Sequence, residues 1–249
     1  MLIAGVDLAA EPKGTALAVM DWSAGRAQLI DLQLGVADEN IVKAAAEVEK
    51  IGIDCALGWP VEFIEFMNQQ ASLETHGSLI DGGLDWRRRL AYRETDRQVR
   101  EITGRWPLSV STDRLGMTAM RCSGLLSRMA HSGIAIDRSG AGKVVEIYPG
   151  ASLRLWGFAT AGYRNSADVR QQLLNQLKAA APWFDAAGFS ELMIASCDAF
   201  DAVIAAFATR SAALGRYQQP SAELNQQARI EGWIALPNGS LAALIDDKD

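Results

Sequence analysis

The sequence has little cysteine and little histidine, with three cysteines and two histidines among 249 residues. The cysteines are odd in number, far apart, and without the spacing of a zinc site or a disulfide framework: Cys55, Cys122 and Cys197. Two histidines, His76 and His131, are too few for a histidine-rich metal centre. Because scattered free cysteines are typical of reducing compartments, we expect a cytoplasmic protein.

Long apolar runs are also missing. The longest, such as Ala202–Ala208, are much shorter than the roughly 20 residues that a helix needs to cross a bilayer. Residues 1–7 have neither the basic segment nor the small-residue cleavage site of a signal peptide. We therefore expect a protein that has no membrane partner.

An excess of positive charge is absent too, because 24 Lys and Arg against 30 Asp and Glu give a net charge of −6. Proteins that bind duplex nucleic acid without sequence preference usually rely on a basic surface, since neutralised phosphates supply the affinity. Any nucleic-acid role must therefore depend on a local basic patch.

The composition that is present is that of a globular protein, with 49% hydrophobic and 22% charged residues. A chain of this length can bury one large core, and we expect a single domain over residues 1–249. In the first part of the chain, apolar periodicity and turn residues predict these elements: strands over 2–8, 15–22 and 26–35, a helix over 39–50 and a buried strand over 51–57.

The remainder is predicted to be a helical insertion over about 61–140, then a strand and terminal helices. The predicted helices of the insertion are 61–71, 86–104 and 116–131. The elements after it are a strand over 143–148, helices over 152–156, 168–180 and 197–214, and a last strand over 232–236. An antiparallel three-strand meander, joined by a helix to parallel strands and covered by helices on both faces, is the layout of the RNase H-like fold. We therefore predict an α/β protein with this fold and a helical insertion.

Four aspartates occupy positions that this fold would bring together. Asp7 is inside the first strand and Asp54 has the matching place on the fourth, where an ionised carboxylate is costly unless it is paired or bound to a cation. Asp198 and Asp201 are three residues apart, hence on one face of a helix that is otherwise small and apolar. Since neighbouring strands are about 5 Å apart, carboxylates at their ends can share one cation.

Carboxylate oxygens without His or Cys select hard divalent cations, so we expect Mg²⁺ or Mn²⁺. Asp7, Asp54 and Asp201 would hold two ions that cleave a phosphodiester, and Asp198 would complete the shell or position water. Glu146, on a later strand, is a further catalytic candidate. Three of these acids have an ordinary alternative: a helix N-cap for Asp198, a backbone acceptor at a strand end for Asp54 and an arginine partner for Glu146.

The predicted helix over 86–104 carries the most concentrated positive charge. Four arginines at spacings of three or four residues share one face: Arg89, Arg93, Arg97 and Arg100. Guanidinium groups suit phosphate oxygens, so this arginine stripe is a candidate substrate-binding surface. Aromatic residues beside it are able to stack bases: Trp86, Tyr92 and Trp106. In the alternative, acidic neighbours neutralise the stripe on a solvated helix: Glu94, Asp96 and Glu101.

Several stretches resemble the blocks of an uncharacterised family that is described as a domain of unknown function and as predicted RNase H-like nucleases. They are Gly5-Val6-Asp7-Leu8-Ala9, residues 53–60, Val145-Glu146-Ile147-Tyr148-Pro149 and Asp198-Ala199-Phe200-Asp201-Ala202. Residues 92–97 and 111–114 resemble the arginine-rich central block of that family. The likeness covers nearly the whole chain, and it implies the fold and a nuclease activity.

The paired acids Asp198 and Asp201 also resemble the terminal-helix acids of RuvC-type resolvases. In that resemblance Asp7 and Asp54 correspond to the first-strand and fourth-strand acids. The fourth-strand acid of that group is commonly Glu. Asp54 is shorter by one methylene, which leaves the metal geometry at this position open.

The residues and the resemblance together predict a metal-dependent nuclease that acts on a nucleic acid or a nucleotide. One alternative is an ATP-binding phosphotransferase-like protein of the actin and sugar-kinase type, in which Lys13 or Gly14 would contact phosphate after the first strand. The other is a non-catalytic binding protein with a vestigial acidic site. A functional acidic site should gain stability from added cations, and a vestigial one should not.

Overall fold

A computed structural model of the protein describes residues 1–72 and 82–245. The strands within these residues are β1 (Leu2–Asp7), β2 (Ala16–Ser23), β3 (Arg26–Leu34), β4 (Lys50–Asp54), β5 (Val144–Glu146) and β6 (Phe184–Asp185). They form one mixed sheet in the order β5-β4-β1-β2-β3-β6. The α/β class is therefore confirmed. Residues 73–81 of the predicted insertion, with His76, are outside the described residues.

Ten α-helices accompany the sheet in the described part of the chain. They are α1 (Asp38–Glu47), α2 (Val61–Ser72), α3 (Gly83–Ala91), α4 (Glu94–Thr103), α5 (Gly116–His131), α6 (Pro149–Leu155), α7 (Ala167–Ala180), α8 (Ser190–Ala195), α9 (Cys197–Ala213) and α10 (Asn225–Glu231). Most predicted helices are present, with boundaries shifted by a few residues. α8 and α10 had no counterpart in the prediction.

The first three strands form the predicted antiparallel meander, since β2 is antiparallel to both β1 and β3. On the other side of β1, β4 is parallel to β1 and β5 is parallel to β4. The predicted parallel strands after the meander are thus confirmed. β6, which the sequence pattern did not predict, adds a short parallel pairing beyond β3.

The predicted strand over 232–236 is wrong. Ile234 makes only an isolated bridge to Glu146, through the backbone N–H of Ala235 and the Glu146 carbonyl at 2.9 Å. The N–H of Leu236 then donates to the Ile234 carbonyl at 2.9 Å, so the chain turns after a single pairing. An apolar run of strand-like composition is therefore buried here without extending the sheet.

The predicted helix over 86–104 is wrong as well, because the chain leaves the helix at Tyr92 and Arg93. Arg93 has an extended backbone (φ −69°, ψ 165°), and its N–H donates to the side chain of Asp96 at 2.9 Å, so that α4 begins after it. The helical periodicity continues across this break, because α3 and α4 are each amphipathic. The pattern alone therefore did not reveal the two helices.

Alternation along β1 places helices on both faces of the sheet, as predicted. Ala4 and Val6 pack in one core cluster with residues of α1 and α5. Ile3 packs in another cluster with residues of α7 and α9. Odd-numbered positions of β1 therefore face α9, and even-numbered positions face α1 and α5.

Helix α9 lies directly on the sheet at two glycines. Gly5 and Gly52 are paired in register on β1 and β4. A Cβ atom at Gly5 would collide with the α9 backbone at Ala206, and one at Gly52 would collide with Thr209. Glycine at both positions lets the helix approach the strands closely, and it brings the strand ends beside the first turns of α9.

The apolar composition of α9 follows from this burial, because Ala199–Ala212 are buried throughout. It is a core helix of the sheet. Across residues 1–72 and 82–245, no helix is long and apolar enough to cross a membrane.

Candidate active site

Two carboxylates stand side by side at the carboxyl ends of β1 and β4. Asp7 pairs in register with Asp54, two residues beyond the paired Gly5 and Gly52. Side chains two residues apart on a strand share a face, so both aspartates lie on the face that α9 covers. Both remain partly exposed to solvent. Because neighbouring strands are about 5 Å apart, the two carboxylates are within reach of one cation.

Helix α9 brings the other two aspartates to this end of the sheet. Its N-cap is Ser196, whose hydroxyl oxygen accepts the backbone N–H of Ala199 at 3.2 Å. The alternative role of Asp198 as the N-cap is therefore wrong. Asp198 is instead in the first turn, where the helix dipole favours a negative charge, and Asp201 follows one turn later with 3% exposure.

The carboxylate of Asp201 is held by neighbours that the sequence did not indicate. The Tyr163 hydroxyl donates to it, with the phenol oxygen 3.0 and 3.2 Å from the two carboxylate oxygens. The Cys197 thiol is 3.6 Å from Oδ2, and the Arg164 guanidinium is 3.8 Å from the same oxygen. Tyr163 is buried and Arg164 is 54% exposed, so Asp201 is fixed from the core and screened from the solvent side.

A buried arginine connects this arrangement to the start of α9. Arg170 donates to the carbonyl of Tyr163 at 2.8 Å. It also donates to the carbonyls of Ile194 and Ala195, at 2.8 and 3.1 Å, directly before α9 begins. The segment that carries Tyr163 is therefore fixed relative to the helix that carries Asp201.

The four aspartates line one cleft of about 590 Å³, which we call the acidic cleft. Two exposed arginines, Arg114 and Arg164, are also on its wall. Apolar side chains complete it, among them Leu8, Leu108 and Ile234. The cleft therefore combines carboxylates, guanidinium groups and an apolar surface, which is a suitable lining for an organic phosphate.

Burial and crowding raise the pKa values of these carboxyls. Burial first, and repulsion from Asp54 second, raise the pKa of Asp7 well above its ordinary value. Burial and repulsion from Asp201 raise the pKa of Asp54 to about 8. Burial raises the pKa of Asp201 to about 6, although Arg164 and the Tyr163 hydrogen bond oppose the shift. The carboxylates are therefore costly to ionise together unless a cation neutralises them.

The donor set suits a hard divalent cation but is not assembled into a closed metal site. Among the described residues, no three His, Cys, Asp or Glu side chains are grouped closely enough to hold a metal ion. The donors that Asp7, Asp54 and Asp201 supply are all carboxylate oxygens, which Mg²⁺ and Mn²⁺ prefer.

Glu146 also lines the acidic cleft, but its side chain leaves the sheet on the opposite face from these aspartates. It pairs in register with Ile53, one residue before Asp54, so its side chain points the other way. Its two carboxylate oxygens accept hydrogen bonds from the Arg93 guanidinium at 2.7 and 2.8 Å. One of them also accepts the backbone N–H of Leu57 at 3.0 Å. Glu146 is thus arranged as an arginine partner, the alternative considered above.

Arg93 is correspondingly committed to the interior. It is 2% exposed, and it also donates to the side chain of Asp96 and to the carbonyl of Glu231. The Glu231 carboxylate in turn accepts the backbone N–H groups of Val61 and Glu94, the first residues of α2 and α4. This network attaches the insertion to β5. Arg93 lines the acidic cleft, but its guanidinium is already engaged by Asp96, Glu146 and Glu231, and its contact with a substrate stays a prediction.

The rest of the predicted arginine stripe is divided between two helices. Arg89 belongs to α3, whereas Arg97 and Arg100 belong to α4. Arg97 pairs with Glu94 at 2.7 Å, as the alternative for the stripe supposed. Arg89 and Arg100 are exposed, but neither lines the acidic cleft. Their contact with a substrate stays a prediction.

Three residues at this site were not selected from the sequence: Arg114 and Arg164, which line the cleft, and Tyr163, which holds Asp201 from the core. Tyr163 and Arg164 occur between helices, in a stretch with no periodicity or motif. Arg114 belongs to the stretch 111–114, which formed part of the family resemblance. That resemblance was the available signal for Arg114.

A family model described as Protein of unknown function (DUF429) matches residues 5–224. No curated protein and no solved structure matches the chain. The four aspartates of the acidic cleft all fall inside the matched range, as do Arg114, Tyr163 and Arg164.

Proposed function

Since the chain belongs to this family of proteins of unknown function, we propose that it is a metal-dependent nuclease with an RNase H-like fold. The strand order supports the fold: from β3 to β5 the sheet reads 3-2-1-4-5, with β2 antiparallel to its neighbours. This is the order that a meander followed by parallel strands predicts for an RNase H-like sheet. β6 is an addition at the edge.

The observation that carries the proposal is the in-register pair of Asp7 and Asp54 at the end of the sheet, in one cleft with Asp201. Acids that serve only as surface groups need not be buried beside one another. Here three carboxylates share a half-buried space, which is costly without a cation. Perturbed carboxyls in a cleft are typical of functional sites.

Asp7, Asp54 and Asp201 would hold Mg²⁺ or Mn²⁺, and Tyr163 would keep the Asp201 carboxylate oriented. A divalent cation held there would supply an activated water and would stabilise charge on the leaving oxygen. Burial raises the pKa of Asp198, which makes this acid a better acceptor for a proton from the attacking water. Arg164 would stabilise the phosphate from the solvent side.

The ATP-binding alternative receives less support from the turn after β1. In a phosphate loop, backbone N–H groups point at the phosphate. Here the N–H of Gly14 donates to the Glu11 carbonyl at 3.3 Å, and that of Thr15 donates to the Pro12 carbonyl at 2.9 Å. The N–H of Ala9 donates to the Thr15 hydroxyl at 3.2 Å. Three backbone N–H groups of the turn, that of Gly14 among them, are therefore already used within the turn.

Thermal melting in EDTA, Mg²⁺ and Mn²⁺ tests the metal site. A cation that binds only the folded protein at a hundred times its Kd stabilises it by about 2.7 kcal/mol, which raises Tm by about 5 to 10 °C for a chain of this size. Asp7→Asn should abolish this rise, and it should raise Tm in EDTA because it relieves repulsion. Asp31→Asn, at a β3 acid outside the cleft, is the matched control and should keep the rise.

Cleavage of labelled single-stranded and duplex oligonucleotides completes this test. We expect hydrolysis by the wild type and by Asp31→Asn in Mn²⁺ or Mg²⁺, and none by Asp7→Asn. A wild-type Tm that does not respond to either cation would contradict the proposed function.

Glu146→Gln separates an arginine partner from a metal ligand. Because the substitution leaves the buried Arg93 with one partner fewer, we expect a loss of about 3 kcal/mol of stability in EDTA, with the metal-induced rise in Tm retained. This loss of stability in EDTA is opposite in sign to the gain that we expect for Asp7→Asn. A variant that loses the metal response without losing stability would place Glu146 in the metal site instead.

A further inference from the structure

The segment between α4 and α5, residues 104–115, is held in a defined conformation beside the acidic cleft. The Ser109 hydroxyl donates to the Ala91 carbonyl at 2.5 Å and accepts the backbone N–H of Thr112 at 3.1 Å. The N–H of Ser109 donates to the carboxylate of Asp113 at 2.8 Å. The segment is thus attached to the end of α3 and braced by its own hydrogen bonds, so its exposed side chains are preorganised.

One of those side chains is an aromatic platform. Trp106 is 41% exposed, whereas the other tryptophans of the chain are buried or half-buried. One face of its ring stacks on Tyr92, with centroids 4.2 Å apart and planes 27° apart. Tyr92 directly precedes Arg93, which is anchored to Glu146 of the sheet. The indole is therefore supported by a stacked ring while a large part of its surface stays open to solvent.

The same segment places a cation on the wall of the cleft. Pro107, next to the platform, lines the cleft together with Leu108 and Arg114. Arg114 is exposed, and within residues 1–72 and 82–245 no ion pair or hydrogen bond engages its guanidinium. The segment thus leads from an aromatic platform to a guanidinium group and then to the aspartates.

We infer that the α4–α5 segment is the binding surface for single-stranded nucleic acid, with a base on Trp106 and the adjoining backbone against Arg114. The inference rests on the proposed nuclease function, and it names the substrate form. A paired base inside a duplex already has both faces stacked, whereas an unpaired base offers a free face to the indole. The guanidinium of Arg114 suits the next phosphate and directs the strand towards the carboxylates.

Fluorescence anisotropy with a short labelled oligothymidylate, and with a blunt duplex of the same length, tests this inference. Measurements in EDTA keep the strand intact. The wild type should bind the single strand more tightly than the duplex. Trp106→Ala should weaken single-strand binding about ten- to a hundredfold, and Trp106→Phe should restore most of it. Arg114→Ala should reduce the slope of log K against log salt by about 0.7.

Leu84→Ala and Arg26→Ala are the matched controls, because both residues are exposed and outside the cleft. They should bind as the wild type does, and all variants should melt like the wild type in EDTA. The inference is wrong if the duplex binds as tightly as the single strand, if neither binds, or if Trp106→Ala has no effect. A wild type that keeps its metal-induced rise in Tm in any of these cases preserves the proposed function, so the two failures are distinguishable.

Discussion

At the scale of single residues, the contact between Tyr163 and Asp201 fixes a carboxylate that the proposed metal site requires. Asp201 is in α9, whereas Tyr163 lies between α6 and α7. The Tyr163 ring also packs against Phe200, with centroids 5.9 Å apart. The phenol therefore has two roles, one in packing and one in orienting a carboxylate. Groups that orient metal ligands contribute to metal affinity although they do not touch the ion.

Tyr163→Phe isolates the orienting role, because it keeps the ring and removes the hydroxyl. We expect the midpoint of the Mg²⁺-induced rise in Tm to move to about ten- to a hundredfold higher metal concentration. Tyr148→Phe is the control, since Tyr148 lines the same cleft and, among the described residues, makes no hydrogen bond to Asp201. If the rise in Tm had its midpoint at the same Mg²⁺ concentration in both variants, the role of Tyr163 would be limited to packing.

At the scale of elements, the contact of α9 with β1 and β4 assembles the site. Gly5 and Gly52 let the helix lie on the strands, and the aspartates follow two residues later on the same face. A side chain at either glycine would separate the helix from the sheet. The position of Asp201 relative to Asp7 therefore depends on two residues that carry no functional group.

Gly5→Ala should destabilise the protein by about 3 kcal/mol, because the added Cβ would meet the α9 backbone, which cannot move as a side chain does. Gly124→Ala in α5 is the control, since a Cβ there meets no atom within 4 Å. Alanine favours a helix interior by about 1 kcal/mol over glycine, so this variant should be more stable than the wild type. Urea denaturation measures the free energy of unfolding of both variants. Equal changes for the two substitutions would show that α9 moves to accommodate a Cβ atom at Gly5.

At the scale of the whole molecule, the net charge of −6 is distributed so that several acids crowd into one cleft. The raised pKa of Asp54, about 8, means that the folded protein binds this proton more tightly than the unfolded chain does. The stabilisation is complete below the ordinary pKa of aspartate, about 4, and is lost as pH rises through about 8. A bound cation requires the ionised acids and reverses this dependence.

In EDTA, the Tm of the wild type should therefore fall between pH 5 and pH 9, and the fall should be smaller in Asp54→Asn, which has no carboxylate to ionise there. In Mg²⁺ the metal-induced rise in Tm should grow over the same range, because protons compete with the metal. Calorimetry of both proteins at each pH measures these slopes. Parallel slopes for wild type and variant in EDTA would mean that Asp54 titrates normally.

Across the whole molecule, the sequence by itself determined the α/β class, the meander, the parallel strands and most helices. The alternation of apolar residues in strands and their periodicity in helices are local patterns, and they indicate which face of each element is buried. Asp7 and Asp54 were visible for a related reason: a carboxylate inside an apolar strand conflicts with its surroundings. Their in-register pairing followed from the strand order that the pattern predicted.

Only the tertiary structure decided which neighbours those acids have. Tyr163 and Arg164 reach Asp201 from a segment with no periodic pattern. Glu146 pairs with Ile53, one residue before Asp54, so its side chain points to the other face of the sheet and meets Arg93. The arginine stripe was split because the buried Arg93 leaves the helix to meet Glu146. Local patterns record burial, whereas register, helix breaks and side-chain partners depend on contacts between residues far apart in the sequence, which only the folded chain brings together.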